Sequence, residues 1–148
     1  MLLPADAEGR IPEMSREIKF RVWCEYEIEG QLHKEMCGPE NWFLLTQTGH
    51  LMSHGPMSFN PNAEKDYKVI IPEFFTGLLD KNGKEIYEGD IVRGIWQVNH
   101  KDVREGVVNY WEKFGLYGLN DNSSLVSIVW SGCEVIGNIH ENPELLNV

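Results

Sequence analysis

The sequence predicts a mainly β protein, α+β at most, and three observations support this class. Residues 17–26 alternate between apolar and polar side chains, as in a half-buried strand. The other apolar segments are short, and turn-forming Gly, Asn and Pro residues separate them at close spacing. An Asn82-Gly83 pair stands between two apolar pairs, which is a strong hairpin signal. Together these patterns favour a small barrel or sandwich over a helical bundle.

The first half of the chain divides into an N-terminal extension and a β region. Residues 1–13 contain two prolines and a glycine and lack the basic start of a signal peptide, so they are expected to be dispensable for folding. The β region, residues 14–74, is expected to contain a variable loop. Its predicted strands are 17–26, 31–36, 41–48, a return strand at Leu51-Met52 and a short strand at 69–71 that Pro72 ends.

Two turns open the second half, residues 75–148. Asn82-Gly83 predicts a two-residue type I′ turn, which requires positive φ at both positions. Gly89-Asp90 lies in a second turn that leads directly into a strand, and this turn is similar to those that open strands in SH3-like barrels. These four residues are therefore assigned a structural role in turns, and the second half is predicted to be a small SH3-like β-barrel.

The rest of the second half continues as predicted strands. Residues 106–111 and 125–130 are apolar and β-branched, which favours strands. A last strand is expected around Gly137, whose glycine indicates a bulge. The pair Asn142-Pro143 suits the N-cap and first position of a helix, so the chain is expected to end in a single helical turn.

The formal net charge of −10 is spread evenly along the chain. Residues 1–74 carry 7 Lys+Arg and 12 Asp+Glu, and residues 75–148 carry 6 and 11, so each half has a charge of −5. A nucleic-acid-binding surface needs concentrated positive charge, so a nucleic-acid partner is disfavoured. No apolar run approaches the roughly 18 residues of a membrane helix, so no membrane contact is expected.

Three cysteines, Cys24, Cys37 and Cys133, are odd in number and widely spaced. No Cys-x-x-Cys pair is present, so neither a disulfide framework nor a redox motif is indicated. The sequence therefore predicts free, partly buried thiols in a reducing cytoplasm.

No set of side chains has the spacing of a catalytic or metal site. His50 and His54 lie four residues apart, but the surrounding Gly49, Gly55 and Pro56 disfavour a helix that would align them. The sequence contains neither a phosphate-binding glycine loop nor a nucleophile elbow. We therefore expect no catalytic residues, no metal and no cofactor.

Five tryptophans are many for a chain of 148 residues. Trp96 and Trp130 are expected to pack in the core. Trp23 instead shares the polar face of its predicted strand with Arg21, so it is expected either to be exposed as an interface anchor or to cover an end of the barrel. Trp23, Arg21 and Trp42 are the candidate interface residues.

Three segments of the chain are similar to a known family. They are residues 16–23, the run FTGLLDKNGKEIYEGDIV at 75–92 and the run EVIGNIHENPELL at 134–146. On these segments the chain resembles the YopX-like proteins of phages and prophages. The resemblance implies a phage-derived protein of the bacterial cytoplasm, with an SH3-like barrel portion, self-association and no catalytic residues.

The expected function is a non-catalytic binding or adaptor module. It would act through contacts with a host or phage protein and through self-association as a homo-oligomer, because acidic charge and exposed aromatic residues suit protein partners. Two alternatives stay open. One is an enzyme with a site in the 49–66 loop, and the other is a nucleic-acid-binding SH3-like module.

Overall fold

The structure is built mainly from antiparallel strands. A computed structural model describes residues 7–8, 17–38, 43–47, 51–54, 59–60, 67–95, 103–120 and 123–146. The expected mainly β class is confirmed, and curled antiparallel sheets form a half-barrel. The elements are β1 (Phe20–Ile28), β2 (Gln31–Cys37), β3 (Phe43–Leu45), β4 (Leu51–His54), β5 (Phe59–Asn60), β6 (Val69–Leu79), β7 (Glu85–Tyr87), β8 (Asp90–Ile95), β9 (Val103–Trp111), β10 (Leu116–Leu119), α1 (Leu125–Ser131), β11 (Glu134–Asn138) and a 3₁₀ turn (Pro143–Leu146).

The first sheet has the strand order β2-β1-β6-β7. The predicted alternation of β1 places Val22 and Cys24 in a buried cluster with Cys37 of β2 and Leu51 of β4. A turn at Gly30, with φ +78°, leads β1 back into the antiparallel β2, so the strands predicted at 17–26 and 31–36 form a hairpin.

The second sheet has the order β10-β9-β8-β11, and α1 packs against it. Burial of apolar side chains between this sheet and the helix is the main source of stability here. A small third sheet contains β3, β4 and β5. The buried cluster that joins the second sheet, α1 and β7 of the first sheet comprises Ile86, Val92, Val108, Leu119, Leu125, Ile128, Cys133 and Val135.

Asp80 organises the turn between β6 and β7. Its Oδ1 accepts hydrogen bonds from the backbone N–H groups of Asn82 (2.8 Å) and Lys84 (2.9 Å), and its Oδ2 accepts one from Val135 of β11 (3.0 Å). Burial acts to raise the pKa of this carboxyl, but the three donors outweigh burial and lower the pKa below its usual value. The carboxylate thereby fastens the β6–β7 turn to the second sheet.

The turn lies where the sequence predicts it, but its type I′ assignment is wrong. Gly83 donates its N–H to the Asp80 carbonyl oxygen at 3.0 Å and has φ +80°, whereas the φ of Asn82 is negative. A type I′ turn needs positive φ at both Asn82 and Gly83. Asp at the first position and Gly at the fourth fit a type I turn closed by a glycine in the left-handed region.

The segment predicted as a strand at 125–130 is the helix α1 instead. Leu125 and Ile128, three residues apart, are its buried side chains, and Gly132 with φ +90° follows its last turn. A short apolar run fits a strand period and a helix period about equally well, and the packing of one helical face against the sheet decides between them.

β6 continues through Pro72, where the sequence predicted that the strand would end. Pro72 pairs with Val22 of β1, and pairing with β7 begins only at Phe75. Phe75 donates its backbone N–H to the carbonyl oxygen of Lys19, on the β1 side. Because backbone groups alternate edges along a strand, Pro72 faces the opposite edge, where its missing N–H removes no ladder bond to β1.

The predicted bulge and the predicted helical turn of the C-terminal segment are confirmed. The pairing of β11 with β8 shifts register between Val135 and Gly137, which is the expected bulge, and Pro143 begins the 3₁₀ turn. The Asn142 side chain accepts a hydrogen bond from the Asn138 N–H at 3.2 Å. A Cβ atom on Gly137 would overlap that side chain, so the bulge needs glycine.

Substitution of Gly83 tests the turn geometry. Gly83→Val is expected to lower the free energy of unfolding by more than about 1 kcal/mol, because a β-branched residue is strained at positive φ. A Cβ atom at this position meets nothing within 4 Å, so the cost comes from the backbone alone. Gly83→Asn is the control and is expected to cost less, because Asn tolerates this conformation. Equal midpoints of denaturant unfolding for wild type and Gly83→Val would contradict the turn.

Candidate binding cleft

A buried charged cluster, which we call the Arg21 clamp, consists of Arg21, Glu73, Asp90 and His140. Arg21 Nε donates to Glu73 Oε2 at 2.8 Å, and its Nη2 donates to Asp90 Oδ1 at 2.7 Å. Nη2 also donates to the Glu88 carbonyl oxygen at 3.3 Å. The Arg21, Glu73 and Asp90 side chains are only 13%, 4% and 2% exposed. Burial of such charges is tolerated because they are paired and hydrogen-bonded.

His140 joins the clamp from the C-terminal end of the chain. Its Nε2 lies 2.6 Å from Glu73 Oε1. Its ring stacks on Trp23, with the ring centroids 4.8 Å apart and the planes 9° apart. Trp23 Nε1 donates to Glu25 Oε1 at 3.2 Å. The C-terminal segment therefore covers the face of β1 that the sequence placed in solvent.

The expectation that Trp23 is exposed is wrong, because the residue is only 4% exposed. Arg21 is also largely buried and is paired within the clamp. Neither residue offers much free surface to a partner. The third candidate interface residue, Trp42, lies outside the described residues.

The carboxylates of the turn between β7 and β8 are bonded to protein groups. Burial raises the pKa of Asp90, and this effect outweighs the opposing attraction of the guanidinium and the hydrogen bond from the Tyr87 N–H at 2.8 Å. Burial also raises the pKa of Glu88, whose Oε2 accepts the Phe74 N–H at 3.2 Å and which bonds the Tyr117 side chain. These two acids hold the turn in place.

Gly89 lies between these two acids, and the clamp requires a glycine there. Its φ is +81°, and a Cβ atom would overlap the Glu73 carboxylate. Its N–H donates to the Val108 carbonyl oxygen at 2.8 Å, and its own carbonyl oxygen accepts the Ile139 N–H at 3.0 Å. Gly89 thus lets the turn approach the clamp closely while it bonds two neighbouring segments.

A cleft of about 400 Å³ opens beside the clamp, between β6 and β9. Its volume is within the usual range of ligand pockets. Most of its lining is apolar, and the lining includes two carboxylates but no Lys or Arg. The lining residues are Ile71, Pro72, Glu73, Glu88, Gly89, Val107, Val108, Asn109, Tyr110, Ile139 and His140.

Asn109, on the β9 wall of the cleft, has a buried Oδ1 with no hydrogen-bond partner in the part of the chain that the structure describes. Burial of an acceptor without a partner costs about 1–3 kcal/mol. If the Asn109 side chain rotated toward the cleft, this oxygen could accept an N–H group of a ligand, and that hydrogen bond would remove the cost.

The structure gives no support to the histidine pair as a helical metal site. His54 belongs to the strand β4, where residues four apart do not share a helical face, and His50 lies outside the described residues. Among the residues with described positions, no group of three or more His, Cys, Asp or Glu is arranged to hold a metal ion. Most of the 49–66 loop also lies outside the described residues.

The three cysteines form no disulfide, as the sequence predicts, and all three are buried. The Sγ atoms of Cys24 and Cys37 lie 3.8 Å apart across β1 and β2. Burial raises the pKa of Cys24, and it raises the pKa of Cys133 to about 11. The Cys24 and Cys133 thiols are therefore protonated at neutral pH, which makes them poor nucleophiles.

The expectation that Trp130 packs in the core is wrong. Trp130 is 82% exposed, and Val126, four residues earlier in α1, is 54% exposed. Residues at this spacing share one face of a helix, and here that face points away from the sheet. Trp96, the other expected core tryptophan, lies outside the described residues.

Sequence reasoning missed Glu73 and His140 as members of a site. Glu73 directly follows the apolar segment Val69–Pro72, and an acid inside a buried strand signals a cationic partner. Arg21, in another predicted strand, was the matching signal. No local pattern marks His140, since its partner is 67 residues away.

Arg21→Met tests the clamp. It leaves Glu73 and Asp90 buried without their cation and is expected to lower the free energy of unfolding by about 3–5 kcal/mol at pH 7. The guanidinium acts to lower the pKa of Asp90, so its loss raises the pKa of Asp90 further in the folded state. Acidification then protonates this carboxyl and should narrow the difference in the free energy of unfolding between the variant and wild type. Denaturant unfolding at pH 7 and pH 5 measures both effects.

Arg93→Met is the matched control for this substitution. Arg93 forms an ion pair with Glu105 at 2.7 Å, but its side chain is 48% exposed. Its removal is expected to change the free energy of unfolding by less than about 1 kcal/mol. Equal losses for the two variants would contradict a special role for the clamp.

Comparisons with known proteins place the chain in a family. No described helix is long and apolar enough to cross a membrane. The crystal structure of protein EF1440 from Enterococcus faecalis is similar, with a TM-score of 0.60 and 27% identity over 89% of this chain and 99% of that chain. A search of curated proteins finds no match. The family model described as YopX protein matches residues 19–147, which include all four clamp residues, and the chain belongs to the YopX family.

Proposed function

We propose that this protein is a non-catalytic binding module that holds a segment of a partner protein in the cleft between β6 and β9. The observation that carries the proposal is the buried, unpartnered Asn109 Oδ1 in the wall of a largely apolar cleft. A ligand with an N–H group would give this acceptor a partner. Apolar side chains of the ligand would cover the walls and remove their surface from water.

Two features support binding rather than catalysis. The carboxylates beside the cleft already accept hydrogen bonds from protein groups: Glu73 from Arg21, Asp90 from Arg21 and the Tyr87 N–H, and Glu88 from the Phe74 N–H. A general acid or base must instead reach a proton of the substrate. The three cysteine thiols are buried, and burial raises the pKa of Cys24 and Cys133, so these two do not suit a nucleophile.

The proposed partner is a host or phage protein in the bacterial cytoplasm. The resemblance to phage and prophage YopX-like proteins supports this source. The net charge of −10 and a cleft lining with carboxylates but no Lys or Arg support a protein partner over a nucleic acid.

Selection from a random displayed peptide library tests the cleft. The full-length protein is expected to enrich binding peptides. Ile71→Asp places a charge in an apolar wall of the cleft. It is expected to weaken the binding of the enriched peptides by at least about tenfold, measured by fluorescence polarisation with labelled peptide. Ile28→Asp is the control, at an exposed position of β1 outside the cleft lining. No enrichment, or equal loss in both variants, would contradict the cleft as the binding surface.

Self-association is the second part of the proposal, and it rests on the outward face of α1. Val126 and Trp130 form an exposed apolar patch on that face. Patches of this kind mark interaction surfaces in soluble proteins. A two-fold dimer, in which each copy presents the same patch, is the commonest way to cover one.

Trp130→Ala tests self-association. Loss of the indole from the centre of the patch is expected to shift the protein toward monomer in light scattering across a concentration series. Phe114→Ala is the control, since Phe114 is 65% exposed in the turn between β9 and β10 and lies outside the patch. A wild-type monomer at every concentration would end this part of the proposal.

A further inference from the structure

We infer that the partner segment enters the cleft as an extended β-strand and places a basic side chain beside Glu88. The inference rests on the proposed binding function and adds the conformation and charge of the ligand. Three observations carry it: the open backbone edges of β6 and β9, the width of the gap between them, and the charges of the cleft lining.

β6 presents one open edge to the cleft. Phe75 donates its N–H toward β1, so the backbone groups of Phe74, Pro72 and Ile70 face the opposite edge. The groups of Phe74 are occupied, because its carbonyl oxygen accepts the Glu88 N–H and its own N–H donates to the Glu88 side chain. At Pro72 and Ile70, no described strand pairs with this edge.

β9 presents the second edge. The Val108 carbonyl oxygen accepts the Gly89 N–H at 2.8 Å, whereas the Val107 N–H turns to the other side and donates to Asn120 at 3.1 Å. Alternation along the strand therefore directs the N–H and carbonyl of Tyr110 toward the cleft. The pairing of β9 with β8 ends at Val107, so no described strand pairs with Tyr110 on that edge.

The gap between these two edges is one chain wide at its base. Glu88 donates its N–H to the Phe74 carbonyl oxygen at 2.9 Å, and Gly89 donates to Val108 at 2.8 Å, so a single segment bridges β6 and β9. Neighbouring strands lie about 4.8 Å apart, so one strand fits between two edges separated by roughly twice that spacing. An extended peptide would continue the line of Glu88 and Gly89 and bond both edges, as in strand addition to a sheet.

The charges of the lining favour a basic side chain on that strand. Glu73 already bonds the Arg21 and His140 side chains, whereas the Glu88 carboxylate accepts hydrogen bonds only from neutral groups among the described residues. In the described residues Glu88 forms no ion pair, and burial raises its pKa. An ammonium or guanidinium group beside Glu88 would stabilise its ionised form, and the Asn109 oxygen would accept a further N–H.

The peptides enriched by the full-length protein test this inference. We expect them to alternate apolar and polar residues and to share a Lys or Arg at one position. Glu88→Gln keeps an acceptor for the Phe74 N–H. It is expected to weaken the binding of a peptide that carries this Lys by at least about tenfold. A peptide with norleucine in place of that Lys should bind wild type and Glu88→Gln alike. N-methylation of alternate backbone amides in the peptide should weaken binding at every position that bonds an edge.

The outcomes separate the inference from the proposed function. Enriched peptides that are acidic or helical, or that tolerate N-methylation throughout, would overturn the inference. If such peptides bound Ile71→Asp more weakly than wild type but bound Ile28→Asp as tightly as wild type, the cleft would remain the binding site. If enriched peptides bound Ile71→Asp as they bind wild type, the proposed function would fail first. If Glu88→Gln changed the affinities of the Lys peptide and the norleucine peptide by the same factor, the inferred contact between a basic side chain and Glu88 would be wrong.

Discussion

The Arg21 guanidinium is the interaction on which the junction of the two sheets depends. It bonds Glu73 in the first sheet and Asp90 at the start of β8 in the second. Its Cζ atom also lies over the Tyr87 ring, 4.8 Å from the centroid, and this contact adds a cation–π attraction. Without a cation at this point, two buried carboxylates would face each other across the junction, and like charges at close range in a dry site repel strongly.

The proposed binding surface shares residues with this junction. Glu73 and His140 belong to the clamp, and both also line the cleft. Gly89 fits beneath Glu73 only because it lacks a side chain, and it also bridges toward β9. The position of the cleft walls is therefore set by buried charge pairs rather than by a flexible loop. Such a rigid setting lowers the conformational entropy lost when a ligand binds.

Local sequence patterns predicted the parts of the fold that depend on neighbouring residues. The alternation of β1, the turn at Gly83 and the bulge at Gly137 are all in place. Tertiary packing decided the rest. β1 is covered on both faces, so its polar-looking face holds a buried Trp23 against His140, and alternation alone could not reveal this. The proposed cleft escaped prediction because it forms between strand edges far apart in the sequence.

The long sequence separations within the clamp have a consequence for how the chain folds. Arg21 meets Glu73 across 52 residues and Asp90 across 69, and His140 meets Glu73 across 67. Each contact requires a long loop to close, and the chain loses conformational entropy in that step before the contact stabilises the fold. Topologies of this kind fold slowly. During synthesis the N-terminal sheet emerges before His140, so Trp23 and Glu73 gain their contacts with His140 only after that residue has emerged. The clamp is thus completed only after residue 140 has been synthesised and has left the ribosome.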